Sequence, residues 1–190
     1  MNCYLGLDIS TSCTGWSLMT LDDAQNVLEV KLGYIHLSKL KDSFSKAQQV
    51  LAELNQIKKS YQPTRIFIEE NLQAFRPGAS SAKTLVKLAR FNGVVSYLSQ
   101  SLFDINPEFV NVNHARKVLG IKIQREKICG VSTKQQVLNW AMTQDSLRDF
   151  TWPTKTLKSG PRKGTEVTDP SCYDMADAFV IALAGPKIDI

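Results

Sequence analysis

The sequence predicts an α/β fold: a mixed five-stranded sheet whose first three strands form an antiparallel meander, with helices on both faces. Two observations lead to this prediction. Short apolar runs separated by turn residues fill the first third of the chain, which is the pattern of strands. Segments of helical periodicity then alternate with two further apolar runs, an order typical of a layered α/β sandwich. A length of 190 residues suits one domain with a full core, so we expect residues 1–190 to form a single domain.

Five segments have the composition of strands. Thr, Ser and Gly at 11–15 mark the turn after the first strand, and polar residues at 22–26 mark the turn after the second. The fourth segment, RIFIE, is a continuous apolar run of the kind found in strands that are covered on both faces. The predicted strands are 3–9, 16–20, 27–37, 65–69 and 108–112.

Helical spacing of apolar residues begins after the third strand, and Pro63 ends the first helical segment. Ser132 and Gln135 have the spacing of a capping box, which predicts a helix start. Pro170 suits the first turn of the last helix. The segment 149–168 lacks periodicity and is rich in Pro, Gly and Lys, so we expect a mobile basic loop there. The predicted helices are 43–61, 81–101, 114–119, 132–143 and one that starts near 170.

The composition excludes several classes of protein. No apolar stretch approaches the roughly 20 residues of a membrane span, and the N-terminus lacks the pattern of a secretory signal. The four cysteines form no C-x-x-C pair, so neither a zinc site nor a disulfide framework is indicated. We expect a cytoplasmic protein with reduced thiols, no membrane contact and no small-molecule cofactor. The net charge of +5 favours a polyanionic partner.

Acidic residues follow or interrupt apolar segments at three places in the chain. Asp8 ends the first apolar run, and Glu69 ends the fourth strand with Glu70 beside it. Asp174 and Asp177 are spaced i,i+3, so both project from one face of the last helix. Asp177 has apolar neighbours, where an unpaired carboxylate is costly. Since Mg²⁺ prefers hard oxygen ligands, we interpret the set as a divalent-metal site.

Each of these residues also has a structural explanation. An aspartate that ends a strand often caps a turn, and Asp174 near a helix N-terminus is favoured by the helix dipole. Glu69 and Glu70 cannot both face the same side of a strand, so one is a ligand and the other is solvated or lies behind the ligands. Which one faces the metal stays open. Taken together, the carboxylates favour a site in which two Mg²⁺ ions, or Mn²⁺ in their place, promote hydrolysis of a phosphodiester.

Four motifs in order resemble RuvC-type Holliday junction resolvases, particularly the phage-type members. They are GLDIS with TGW at 6–16, the segment from Gln62-Pro63 to IE at 68–69, GVSTKQQV at 130–137, and DMADA at 174–178. The resemblance covers nearly the full chain. It implies the RNase H-like fold of the superfamily that also contains retroviral integrases.

The resemblance also implies an activity and a set of roles. Such proteins are homodimers that bind branched DNA, above all four-way junctions, and make paired, metal-dependent nicks. A four-way junction and a twofold dimer share approximate symmetry, which places one site on each of two strands. Carried over by position, the catalytic and metal-binding set is Asp8, Glu69, Asp174 and Asp177, with Glu70 as a further candidate ligand. The resemblance places Lys134 near the scissile phosphate, where a fixed cation stabilises developing charge. The alternative is an exposed lysine in a first helical turn, a position that the helix dipole disfavours. The cells expected to contain such a protein are bacteria, including phage-infected hosts.

Two basic clusters are candidates for tracking DNA phosphates, although any single lysine is more often just solvated. The segment 81–101 is the candidate dimer interface by analogy, and burial within the monomer is the competing interpretation. The aromatic residue that opens the junction in the family, after the glutamate motif, has no clear match here. Leu72 occupies the corresponding position, whereas Phe75 has the corresponding chemistry. A second active-site lysine transfers only weakly, to Lys117. The candidate DNA-binding residues are Phe75, Arg76, Arg116, Lys117, Lys122, Arg125, Lys127, Lys155, Lys158, Arg162 and Lys163.

Three other functions compete with junction resolution. A broader endonuclease that also cuts flaps and Y-forms would have the same motifs. An actin-like or sugar-kinase ATPase would share the GLD…TG pattern at 6–15, but such proteins need a second domain and a glycine-rich adenosine motif. A catalytically inactive DNA-binding relative is disfavoured because the acidic set is complete.

Overall fold

The centre of the protein is a five-stranded mixed sheet with the strand order β3-β2-β1-β4-β5. The computed structural model describes residues 1–70 and 82–188. β1 pairs antiparallel with β2, and β2 pairs antiparallel with β3, whereas β1, β4 and β5 run parallel. The predicted fold class is therefore confirmed. The strands are β1 (Asn2–Asp8), β2 (Cys13–Leu21), β3 (Val27–His36), β4 (Arg65–Glu69) and β5 (Glu108–Val110).

Helices cover both faces of this sheet, as the sequence predicts. Three of the described helices begin with side-chain caps, two of them at Asp42, which accepts a hydrogen bond from the Ser45 amide at 2.9 Å, and Ser132, which accepts one from the Gln135 amide at 3.3 Å; the third cap is described below. Among the described helices, none has the length and apolar character needed to cross a membrane. The helices are α1 (Ser43–Ser60), α2 (Ala82–Phe103), α3 (Val112–Val118), α4 (Glu126–Cys129), α5 (Thr133–Met142) and α6 (Ser171–Ala184).

Alternation along the strands divides the core into two clusters. Tyr4 on β1 and Phe67 on β4 pack into a cluster with α5 and α6. Leu5 and Ile66, one position away on the same strands, pack into the cluster formed with α1 and α2. Because side chains alternate in a strand, even-numbered positions of β1 and odd-numbered positions of β4 face α6. This parity decides which carboxylates meet at the end of the sheet.

Two glycines let α6 lie very close to the sheet. A Cβ atom at Gly6 would lie 2.4 Å from the carbonyl oxygen of Ala178. A Cβ atom at Gly15 would lie 2.1 Å from the carbonyl oxygen of Asp174. Helix backbone therefore rests directly on the backbone of β1 and β2 at both positions, which fixes the height of the first turns of α6 above the sheet.

The structure differs from the predicted elements where local contacts override the sequence pattern. The strand predicted for 108–112 ends at Val110, because Asn111 caps α3 and accepts hydrogen bonds from the amides of Asn113 and His114. Pro170 precedes α6 rather than occupying its first turn. The short α4 has no counterpart in the prediction.

The segment 149–168 was predicted to be a loop, but it contains a small antiparallel ribbon of β6 (Thr154–Thr156) and β7 (Glu166–Thr168). The mobility of this segment stays a prediction. Residues 71–81 lie outside the described residues, and so do the predictions for Leu72, Phe75 and Arg76.

Candidate active site

Asp8 and Glu69 lie side by side where two parallel strands end. Leu7 of β1 is in register with Ile68 of β4, so the next residue on each strand is a carboxylate at the same edge of the sheet. Both carboxylates have the parity that faces α6. Glu70 comes after the end of β4, and its carboxylate accepts a hydrogen bond from the Asn111 amide group at 3.5 Å. The register therefore places Glu69, rather than Glu70, against Asp8.

Helix α6 brings the two aspartates of the last motif to the same edge. Gly15 is opposite Asp8 in the β1–β2 register and lies against the backbone of Asp174. Asp177 follows one turn later and is only 5% exposed, while Asp8 is 8% exposed. The four carboxylates that the sequence analysis grouped thus come from β1, β4 and α6 and meet at one end of the sheet.

Burial and mutual repulsion raise the pKa values of three of these carboxylates, Asp8, Glu69 and Asp174. Burial raises the pKa of Asp8 well above its ordinary value, and the charges of Glu69, Asp177 and Asp174 add to the increase. Burial also raises the pKa of Glu69 and of Asp174, although nearby cations oppose the increase at both. A cluster of this kind is electrostatically unfavourable without additional positive charge.

Two basic side chains supply part of that positive charge. The Lys134 ammonium contacts the Asp174 carboxylate at 3.5 Å, and the Arg116 guanidinium donates to the Asp177 carboxylate at 3.0 Å. Burial alone would lower the pKa of Lys134, but the neighbouring aspartates raise it, so the side chain stays charged. Lys134 is the second residue of α5, so its place in a first helical turn agrees with the sequence analysis.

The donor set fits a hard divalent cation by its chemistry. It consists of carboxylate oxygens, which Mg²⁺ prefers, and it carries more negative charge than Lys134 and Arg116 neutralise. Within residues 1–70 and 82–188, however, no three His, Cys, Asp or Glu side chains are arranged closely enough to hold a metal ion as they stand. Asp174 and Asp177 each contact a basic side chain instead. The predicted metal ligands therefore stay a prediction.

Three residues beside the carboxylates were missed as parts of the site. Asn92 on α2 is 3% exposed, donates to the Glu69 carbonyl oxygen at 3.3 Å and lines a pocket beside Asp8. A buried amide in an apolar stretch of helix is a signal that sequence reasoning had available. The Cys13 thiol lies against Asp174, and its pKa is raised first by burial and then by that carboxylate. Arg116 was assigned only to the DNA surface, because its sequence neighbours are basic too.

The other basic residues of the two predicted clusters lie on the surface. The first cluster follows α3, and the Gln136 side chain holds it against α5 by donating to the carbonyl oxygens of Gln124 at 2.9 Å and Val131 at 2.8 Å. The second cluster lies on the ribbon, whose base is tied to α6 because the Cys172 thiol donates to the Pro153 carbonyl oxygen at 3.2 Å. The exposed members are Lys117, Lys122, Arg125, Lys127, Lys155, Lys158, Arg162 and Lys163.

Comparison with solved structures identifies the class of fold. Thermus thermophilus RuvC in complex with a Holliday junction substrate matches with a TM-score of 0.61 at 13% identity, over 96% of this chain and 91% of that one. A second Thermus thermophilus RuvC structure gives 0.58 at 14% identity, over 96% and 92% of the two chains. The yeast mitochondrial Holliday junction resolvase gives 0.51 at 13% identity, over 96% and 77%.

The protein therefore has an RNase H-like fold. Within that class its architecture is the RuvC type, as the sequence resemblance predicted. No protein-family model matches the chain, and no curated protein matches it. At these identities the likeness establishes the fold alone.

We expect the metal-free protein to lose stability as the pH rises through the raised pKa values of Asp8, Glu69 and Asp174. The folded state holds these protons to higher pH than the unfolded state, so their stabilising effect is complete below the ordinary carboxyl range and is lost above the raised values. The test is the melting temperature in EDTA from about pH 3.5 to pH 8. Asp169, whose pKa is lowered, contributes in the opposite sense.

Because other carboxylates contribute in the opposite sense, the melting temperature of wild type must be compared with that of Asp8→Asn at each pH. That variant should show a shallower loss of melting temperature with rising pH. Parallel curves would contradict the prediction.

Proposed function

We propose that this protein is a structure-selective endodeoxyribonuclease that resolves four-way DNA junctions by paired, metal-dependent hydrolysis. The observation that carries the proposal is the meeting of Asp8, Glu69, Asp174 and Asp177 at one edge of a RuvC-type fold, with Lys134 beside them. The similar structures, two of RuvC and one of a mitochondrial Holliday junction resolvase, support the same substrate class.

The carboxylates would hold two Mg²⁺ ions, with Mn²⁺ as a substitute. When bound, such ions supply an activated water and stabilise the leaving oxygen of a phosphodiester. Asp8 would be the central ligand of the set, because Glu69 is beside it on β4 and Asp174 lies against Gly15, the residue opposite Asp8 on β2. Glu70 would be a further candidate ligand, on the side of the strand end away from Asp8.

Lys134 would act on the scissile phosphate. Its side chain is 58% exposed although it contacts Asp174, so the ammonium lies at the border between the carboxylates and solvent. A fixed cation at this border stabilises negative charge that develops on a phosphate. No protein rearrangement is needed for a phosphate to approach the exposed part of this side chain.

The basic surface on both sides of the site would track the DNA backbone. Lys122, Arg125 and Lys127 are held beside α5, and Lys158 and Arg162 are exposed on the ribbon that precedes α6 in the chain. Contacts of this kind position the nucleic acid and carry little sequence information. Affinity for DNA should therefore fall steeply with salt.

A homodimer would place two such sites on one junction. The described part of α2 exposes apolar side chains, including Tyr97 at 67%, and Phe44 at the start of α1 is 83% exposed. Phe44, Arg90 and Val94 line one continuous concavity. An exposed apolar surface of this kind is a common protein interface, and it supports the proposed dimer contact along α2.

The decisive test uses four DNA substrates and two buffers. Synthetic four-way junction, flap, Y-form and linear duplex with identical arm sequences are incubated with the protein in Mg²⁺ or in EDTA. We expect symmetric paired nicks in the junction in Mg²⁺ and none in EDTA. Cleavage of linear duplex at the same rate, or failure to cut any of the four substrates, would sink the proposal.

Flap and Y-form cutting at the junction rate would favour the broader branched-DNA nuclease. Cleavage of a cruciform in a supercoiled plasmid also tests whether the protein acts as a dimer with two active sites. Two nicks within one binding event give linear product, whereas independent nicks give nicked circles first. Accumulation of nicked circles would argue against a dimer with two active sites.

A further inference from the structure

Arg116 differs from every other basic residue of its segment in the direction of its side chain. It lies on α3, which packs against α6, and its side chain is only 14% exposed. Lys117, the next residue on the same helix, is exposed. The packing of α3 on α6 therefore turns one cation of the basic cluster inward, toward the carboxylates.

The hydrogen bonding of the Arg116 guanidinium is incomplete. One terminal nitrogen, Nη2, donates to Oδ1 of Asp177 at 3.0 Å. The Nε atom is buried, and no atom of the described residues accepts a hydrogen bond from it. An unpaired buried donor is unfavourable, and a guanidinium is well suited to hold two oxygens of one anion at the same time. The protein therefore uses only part of what this side chain offers to an anion.

Asp177 needs compensating positive charge, which either a basic side chain or a metal ion can supply. Its side chain is 7% exposed, and Ala176 and Ala178 on either side are fully buried. A carboxylate in such surroundings is costly unless its charge is compensated. A divalent cation at the site would also compensate it and would draw on the same carboxylate, whose Oδ1 accepts from Arg116. Arg116 and a metal ion therefore compete for the negative charge of Asp177.

We propose that Arg116 is an exchangeable counter-ion: it pairs with Asp177 in the metal-free protein, and when a metal ion takes that carboxylate the guanidinium is released to bind a phosphate oxygen of the DNA. The inference rests on the proposed function and adds a residue to it. Arg116 is then a DNA-binding residue whose contribution depends on metal. The competing explanation is a permanent salt bridge that only fastens α3 to α6.

The test compares Arg116→Gln with Lys117→Gln, which removes the same charge one position away on an exposed side chain. In EDTA we expect Arg116→Gln to melt several degrees below both wild type and Lys117→Gln. Calorimetric titration with Ca²⁺, without DNA, should show tighter binding to Arg116→Gln by about threefold or more, because a nearby cation no longer competes. Lys117→Gln should bind Ca²⁺ like wild type.

A second measurement tests whether the released Arg116 guanidinium contributes to DNA binding. Binding of an uncleaved four-way junction is measured at constant ionic strength in EDTA and in saturating Ca²⁺. Arg116→Gln should weaken binding more in Ca²⁺ than in EDTA, whereas Lys117→Gln should weaken it by the same factor in both. Arg116→Lys, which keeps the charge, should lie between wild type and Arg116→Gln.

The outcomes separate the exchange from its alternatives. Unchanged Ca²⁺ affinity in Arg116→Gln, or equal loss of junction binding in both buffers, overturns the exchange and favours the permanent salt bridge. If Arg116→Gln is unfolded in EDTA, the proposal requires Ca²⁺ to refold it, and a variant unfolded in both buffers overturns it. Neither the titration nor the melting curves require cleavage, so a failure of junction resolution with intact Ca²⁺ binding leaves the exchange standing. Absence of metal binding by wild type would refute both.

Discussion

Asp8→Asn is expected to abolish junction cleavage, to preserve junction binding and to raise the melting temperature of the metal-free protein. Asp8 lies at the centre of the carboxylate cluster, and asparagine keeps its shape without its charge. Loss of one preorganised charged group at a reacting centre costs on the order of 10³ in rate. Binding should survive because the proposed phosphate contacts come from basic residues elsewhere on the surface.

The stability gain has a separate physical reason. Burial raises the pKa of Asp8 well above its ordinary value, and the surrounding carboxylates add to this, so ionised Asp8 destabilises the folded state at neutral pH. Each kcal/mol of relief raises the melting temperature of a domain of this size by about 2–4 °C. Scanning calorimetry in EDTA at neutral pH measures the gain.

Asp149→Asn is the matched control for Asp8→Asn, because it removes the same charge from an exposed residue. It should change neither cleavage nor melting temperature appreciably. Loss of junction binding in Asp8→Asn would mean that Asp8 is not purely catalytic. A fall in its melting temperature in EDTA would mean that the carboxylates do not repel one another as inferred.

Gly15→Ala is expected to destabilise the protein strongly and to impair the site at the same time. The new Cβ atom would lie 2.1 Å from the carbonyl oxygen and 2.3 Å from the carbonyl carbon of Asp174, both of them backbone atoms that cannot rotate away. Overpacking of this kind typically costs about 1–3 kcal/mol, occasionally more. Because relief requires α6 to move off the sheet, Asp174 and Asp177 move with it, and cleavage should fall along with the melting temperature.

Gly93→Ala provides the comparison for that variant. Gly93 lies within α2, and a Cβ atom there would meet no described atom within 4 Å. Alanine is favoured over glycine inside a helix by about 1 kcal/mol, so this variant should be neutral or slightly stabilised. Wild-type melting temperature and activity in Gly15→Ala would contradict the close approach of α6.

The parts of the site that depend only on local sequence were predictable. The apolar runs that precede Asp8 and Glu69 predicted β1 and β4, and the i,i+3 spacing placed Asp174 and Asp177 on one helix face. The cap at Ser132 was also predicted correctly. These features depend on neighbours a few positions away, so one sequence contains them.

The remainder depends on contacts between distant segments. The choice between Glu69 and Glu70 needed the β1–β4 register, which no local pattern encodes. The partner of Arg116 lies 61 positions away in the chain and is determined by how α3 packs on α6. Residues adjacent in sequence share a charge cluster without sharing a direction, and for this reason sequence reasoning assigned Arg116 to the surface together with Lys117.

The adjacent glutamates at the end of β4 affect how the activity of variants substituted in this strand must be interpreted. All three residues before them, Ile66, Phe67 and Ile68, are fully buried, so this strand offers apolar side chains to both faces of the sheet. A Glu69→Gln chain still has the Glu70 carboxylate one position away at the same strand end. Residual activity in that chain would not show that position 69 is dispensable. Only the chain with both glutamates replaced removes the negative charge from this strand end.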